Sequence, residues 1–413
     1  MKKLLVILFA LGLVFSFSAP VMATDISTSG SFRVRGYLDS NSALMPDENT
    51  DNAYYDQRLR VKTVFKVADG LQVVARFDAL DGIWGRPDLM RSDATTSQDN
   101  LQFDMAYMQF TTAIGRIQAG WMSDGVWGTG FGDCEVFTGK ITFLSKVDNV
   151  YLYLNTTKRS EGDRGNQFSD HDNDGYVAAA WYNDGGINAG LLYKYWRGAD
   201  SAVDNLTTMN ILIPYFKATF GDIYAEGEII WIGGEIENAA GANVVDLEGL
   251  AAYFKVKMNL GPAYIGGLMV YAQGNDPADP TTQGGMANSG CDWNPCLILF
   301  NDTCVPPVGR FAGATTGNNI NNGYIYQVFG GMSMDKLSVK ASLSHAIADE
   351  AQGYVDDVYG TEFDLEAAYK IYDNLTYSVG FGYLWAGDWY KGTNAANRID
   401  DTYLLMNKLQ VNF

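Results

Sequence analysis

The chain has 413 residues, 47% of them hydrophobic, and 48 acidic against 29 basic residues, for a formal net charge of −19. That acidity excludes nucleic acid as a partner. After Ala23 there is no apolar run long enough for a transmembrane helix, so a membrane protein of this composition has to be a β-barrel.

Met1-Lys2-Lys3 is a short positive region, Leu4 to Phe17 is apolar, and Ala19-Pro20-Val21-Met22-Ala23 offers small residues for cleavage. This predicts a secretory signal peptide over 1–23. Without Lys2 and Lys3, 27 basic residues face 48 acidic ones, and the mature charge becomes 27 − 48 = −21. Aromatic residues are abundant (25 Tyr, 21 Phe, 9 Trp) beside 45 Gly and only 10 Pro, which suits aromatic girdles and tight turns. A domain-length repeat is missing, so 24–413 reads as one domain.

Period-two alternation begins at Ser31, with Phe32, Val34, Gly36 and Leu38 on one face and Arg33, Arg35 and Tyr37 on the other. It resumes over Arg58 to Val67 with Leu59, Val61, Thr63 and Phe65 against Arg58, Arg60, Lys62 and Lys66. After the turn Ala68-Asp69-Gly70, the chain returns with Val73, Ala75 and Phe77 outward and Arg76 and Asp78 inward. Short turns at 148–149, 183–186, 221–222, 259–262, 334–336 and 373–374 then alternate with long polar loops near 39–54, 81–99, 122–139, 158–174, 197–206, 234–246, 274–322, 347–359 and 386–399. Leu375 to Trp385 puts Tyr377, Val379, Phe381, Tyr383 and Trp385 on one face, a surface for lipid or a sister subunit. The last stretch carries Tyr403, Leu405, Leu409, Val411 and Phe413 on its apolar side. The fold predicted is therefore all-β: a transmembrane up-and-down antiparallel β-barrel of about 16–18 strands, with short periplasmic turns and long extracellular loops. A ring of that size leaves an aqueous channel, whereas about eight strands would fill their interior with side chains.

Arg33, Arg35, Arg58, Arg60, Lys62, Arg76 and Arg116 share the inward parity and form a basic column on one wall. Arginine's planar fork suits carboxylate and phosphate oxygens, although inward charges paired with Asp78 and Asp104 would also simply solvate a lumen. The Gly-rich, aromatic stretch 122–140 carries Asp124, Asp133 and Glu135 and is the candidate constriction loop, its acids expected to face the basic wall. Residues 274–322 make a loop too long for an ordinary connector and are expected to cap or plug the mouth on the extracellular side. Four cysteines, Cys134, Cys291, Cys296 and Cys304, fit an exported protein; of the three pairings, Cys291–Cys296 with Cys134–Cys304 is preferred over a zinc site. Asp170, Asp172 and Asp174 before Gly175 match the opening of a calcium loop, but Trp181 stands where its bidentate Glu belongs; no cofactor is expected beyond that calcium. The two histidines, His171 and His345, lack the second half of a catalytic site, so an enzyme is not expected.

The terminal strand ending in Phe413 resembles the carboxy-terminal signal of bacterial outer-membrane barrels, whose final Phe is read by the barrel-assembly machinery. Together with Ser31-Phe32-Arg33-Val34-Arg35-Gly36, Tyr55-Asp56-Gln57-Arg58-Leu59-Arg60-Val61 and Ala75-Arg76-Phe77-Asp78-Ala79-Leu80-Asp81, the chain resembles the homotrimeric outer-membrane porins of sulfate-reducing bacteria. The resemblance implies a homotrimer in the outer membrane of a Gram-negative cell, in contact with lipid and lipopolysaccharide. Each subunit would pass small hydrophilic solutes, organic acids and inorganic anions among them. The other readings are a structural or adhesive surface barrel with a plugged lumen, and a barrel hydrolase.

Overall fold

The computed structural model describes residues 25–46, 51–85, 101–162, 171–200, 205–238, 240–301, 308–309, 316–317 and 319–413. The signal-peptide expectation, Asp170 and Cys304 lie outside these residues.

Eighteen strands form the wall: β1 (Asp25–Ser40), β2 (Asn52–Ala68), β3 (Leu71–Ile83), β4 (Leu101–Thr112), β5 (Gly115–Asp124), β6 (Val136–Val147), β7 (Val150–Ser160), β8 (Asn173–Asn183) and β9 (Ile187–Asp200), followed by β10 (Asn205–Phe220), β11 (Ile223–Glu237), β12 (Asn243–Leu260), β13 (Ala263–Ala272), β14 (Gly323–Met334), β15 (Leu337–Ile347), β16 (Val358–Tyr372), β17 (Leu375–Ala386) and β18 (Thr402–Asn412). Each pairs antiparallel with its neighbours, and β1 closes on β18 with Ser31 opposite Asn412 and Ser40 opposite Tyr403. Closure removes every free edge, which a hydrocarbon surround requires because it offers no partner for backbone N–H and C=O groups. A two-residue strand, Thr282–Gln283, runs parallel beside β12 at Asp246 and Leu247.

Short connections lie at one rim and long loops at the other, as the turn spacing predicts. At two-residue turns the chain must reverse through positive φ, and Gly70 (74°) and Asp148 (51°) take that conformation. On the outer face of β7, Val150, Leu152 and Leu154 are exposed, while Tyr151 and Tyr153 turn away from that surface. Tyr377, Val379 and Trp385 of β17 are likewise exposed, and the alternate Gly380, Gly382 and Leu384 are buried. An apolar, exposed outer wall on closed antiparallel strands is a membrane-spanning barrel.

The core is unusual in being inside the ring and partly built from loop. Leu297, Ile298, Leu299 and Phe300, from the long β13–β14 connection, are buried with Leu384, Tyr359 and Ile325 of the wall. Glycine makes room for them. A Cβ on Gly382 would lie 3.2 Å from Leu297 Cβ, and one on Gly380 would lie 3.2 Å from Leu297 Cδ1, both tighter than ordinary contact.

The disulfide pairing differs from the expected Cys291–Cys296 and Cys134–Cys304. Cys134 pairs with Cys291 across 157 residues of sequence, and Cys296 is a free, buried thiol. The reason is that the β5–β6 and β13–β14 loops meet inside the barrel, where Gly290 N–H donates to Phe131 O (2.7 Å) and Asp292 N–H to Asp133 O (3.1 Å). Cys296 is instead carried to the opposite wall, against Ser344 Oγ at 3.3 Å.

Candidate functional site

The basic column is built from the inward positions of β1, β2 and β3, and the fold places an acid close beside three of its members, Arg35, Arg60 and Arg76. Arg35 Nη2 donates to Asp56 Oδ2 at 2.6 Å, its Cα partner on β2. Arg60 forks onto both oxygens of Asp78 at 2.7 Å each. Arg76 Nε donates to both oxygens of Asp104 at 2.9 and 2.8 Å, and its Nη2 to Glu135 Oε2 at 3.1 Å.

Two irregularities in the strands help aim these acids. The β3–β4 register slips between Arg76 and Phe77, so that Asp104 turns inward and is buried although it shares the parity of the exposed Ala106 and Met108. The β2–β3 register slips between Gln57 and Leu59, where Leu80 takes φ 50°. Bulges of this kind re-aim side chains beside functional sites.

Arg33 and Arg58 are different. They face each other as Cα partners, and the Nε of each is buried without a hydrogen-bond partner; Arg58 Nη1 comes no closer than 3.9 Å to Asp78 Oδ2. Lys408, opposite Arg35 on β18, extends the cationic surface across the closing seam. Lys408 stands outside the column predicted from parity on the first strands, although its own inward parity on the last strand signals it. Lys62, opposite Arg76, continues the row toward the short-turn rim. Arg116, the second residue of β5 and exposed, stands close to that rim and apart from the row.

The β5–β6 loop, 125–135, crosses the interior to the far wall. Trp127 Nε1–H donates to Ile213 O (3.0 Å), Thr129 N–H donates to Glu228 Oε2 (2.6 Å), and Phe131 stacks on Tyr253 at 5.3 Å between ring centres. These contacts lie on β10, β11 and β12, five to seven strands around the ring. The β13–β14 loop takes the next sector: Ile298 and Leu299 N–H groups donate to the two oxygens of Glu362 at 2.7 and 2.8 Å, and Gln327 Nε2 donates to Pro295 O at 2.8 Å. The disulfide and Trp293, edge-on to Phe131 at 5.3 Å, join the two loops.

Of the three loop acids expected to face the basic wall, only Glu135 does so. Asp124, still in β5, sits between Lys140 (3.2 Å) and Lys194 (3.4 Å). Asp133 accepts from Trp127 N–H at 2.9 Å, and burial pushes its carboxyl above the usual range while that N–H pulls it back. Both acids are taken up locally because the loop turns away to the β10–β12 wall before its last residue returns. At the acidic loop beyond β7, Lys158 donates to Asp172 and lies 3.2 Å from Asp174, so any metal ion there would have to displace an ammonium. His345 is on the outer face, its Nδ1 3.0 Å from Thr361 Oγ1. At the carboxyl terminus Phe413 N–H donates to Gly30 O (3.0 Å) and Gly30 N–H to Phe413 O (2.7 Å), closing the seam on the short-turn rim.

No family model and no curated protein matches this chain. Solved structures do. Acinetobacter baumannii OccAB1 superposes with a TM-score of 0.59 at 11% identity, covering 96% of this chain and 98% of the other. Pseudomonas aeruginosa OccK9 (OpdG) gives 0.55 at 14% identity over 94% and 99%, and Pseudomonas aeruginosa OpdK with vanillate gives 0.52 at 12% identity over 94% and 99%. At these identities the likeness shows the fold: the closed 18-strand barrel of outer-membrane porins.

Proposed function

We propose that the chain is an outer-membrane porin, a passive water-filled channel whose basic wall contacts small anionic solutes, carboxylates in particular. The observation that carries this reading is the charge balance of the inward row. Seven cations (Arg33, Arg35, Arg58, Arg60, Lys62, Arg76, Lys408) face five carboxylates (Asp56, Asp78, Asp81, Asp104, Glu135), leaving two positive charges on the wall. Arg33, Arg58, Lys62 and Lys408 make no close ion pair with these acids among the described residues, and Arg33 and Arg58 each keep a buried Nε without a partner, with Asp81 acting on both. The two inward loops occupy the sector facing β10–β17, so a solute passes between them and the arginine row, where a guanidinium can bind an oxyanion through two N–H groups. Vanillate in the OpdK structure is a carboxylate and fits that class.

In this reading the outer wall meets lipid and lipopolysaccharide, Phe413 is the residue presented to the barrel-assembly machinery, and three copies form a trimer. No residue is catalytic. A plugged structural or adhesive barrel is the second reading, favoured by the buried segment Leu297 to Phe300 inside the ring. Single-channel recording in a planar bilayer decides between them: the porin gives stable conductance steps and a reversal potential displaced toward anions in a salt gradient, whereas the plugged barrel gives no steps.

A further inference from the structure

We propose that the Cys134–Cys291 disulfide, together with Asp292, is a positioning device for Glu135, and that Glu135 held in this way limits how strongly the arginine row selects anions. The proposal rests on the channel reading and adds a redox-sensitive element to it.

Among the described residues Glu135 is the one loop acid on the arginine row, with Oε2 3.1 Å from Arg76 Nη2 and 3.7 Å from Arg60 Nη1. Its C-terminal neighbour Val136 starts β6 and is fixed by the wall. On its N-terminal side Cys134 N–H donates to Gly125 O at 3.0 Å within the same loop, and the remaining ties next to Glu135 run to the other loop. Cys134 is bonded to Cys291, Glu135 N–H donates to Asp292 Oδ2 at 2.5 Å, and Asp292 N–H donates to Asp133 O at 3.1 Å. Asp292 is exposed, so water competes for its hydrogen bonds. The covalent bond is the only one of these ties that water cannot replace.

Cys134 and Cys291 are only half-buried, which leaves the bond open to a small thiol, whereas Cys296 is fully buried and cannot act as a resolving thiol. A dithiol attacks one Sγ as thiolate and releases the other; its second sulfur then expels the protein sulfur. The products are two protein thiols and a cyclic disulfide, with two electrons and two protons transferred to the protein. Freed from the second loop, the 125–135 segment loses its hold on Glu135, and Arg60 and Arg76 gain free N–H groups toward the solute path.

The test is the anion-to-cation permeability ratio of the assembled channel before and after dithiothreitol, with alkylation and mass analysis to verify that Cys134 and Cys291 are reduced. One carboxylate removed from the path changes the local energy of a unit charge by about kT, which raises anion occupancy and lowers cation occupancy roughly threefold each, so the ratio should rise roughly sevenfold. Glu135→Gln should show the higher ratio without reductant and no further response to it. Cys296→Ser should respond as the wild type does. Reducing wild-type channels after assembly avoids dependence on folding of the Cys134→Ser/Cys291→Ser variant. An unchanged ratio in conducting, verifiably reduced wild type overturns the positioning role, as does a Glu135→Gln channel that still responds. If no form conducts, the channel reading fails first and takes this one with it.

Discussion

Replacing Arg33 and Arg58 together by glutamine removes the two cations of the row whose Nε groups have no acid partner, and leaves Arg35–Asp56, Arg60–Asp78 and Arg76–Asp104 intact. For an ion passing about 6 Å away, a unit charge acts with about 0.7 kcal/mol even at the dielectric constant of water, so two charges contribute about 1.4 kcal/mol, a factor of ten in local anion occupancy. Desolvation between the loops and the wall makes that a lower bound. Reversal potentials in a salt gradient should therefore move toward cations for the double variant. The difference should fade when the recording is repeated at 1 M salt, where screening acts over about 3 Å rather than about 8 Å. Folding should be little affected, because neither side chain completes a close ion pair. Double-variant channels with wild-type selectivity at low salt would show that the row is structural and that the anion path runs elsewhere.

On the opposite parity, Phe65→Lys places a charge on the lipid face of β2; near the midplane this costs about 2–4 kcal/mol and less toward the rim, and denaturant titration of folding into bilayers measures it. Deleting Phe413 removes the Gly30–Phe413 pair of backbone hydrogen bonds, each contributing about 1 kcal/mol, and should lower the heat-modifiable folded fraction on gels. Burial raises the Cys296 thiol well above its ordinary range, so it should resist alkylation in the native barrel at mildly alkaline pH. Unfolding without reductant should then expose it, while Cys134 and Cys291 stay unlabelled. Native-state labelling of Cys296 would place the 296–300 segment outside the core.

Parity is a local property, and the sequence determined by itself whatever follows from parity. Alternation at period two located the strands, and turn residues such as Asp69-Gly70 separated short connections from long ones. The same alternation put Arg33, Arg35, Arg58, Arg60 and Arg76 on one face and Tyr377, Val379 and Trp385 on the other. The direction of a loop inside a ring is not local. Which wall 125–135 reaches depends on Glu228, Ile213 and Tyr253, which lie far along the chain and come near only when β10–β12 curve around to face β5. For that reason Cys134 met Cys291 rather than Cys304, Asp133 was used to brace its own loop, and Glu135 alone returned to the arginines. The slips at Arg58 and Asp104 break the alternation itself, so the final aim of Asp104 was decided by the paired strands. Two-residue periodicity carries a side chain to the inside of a barrel, but only the closed tertiary structure decides what it meets there.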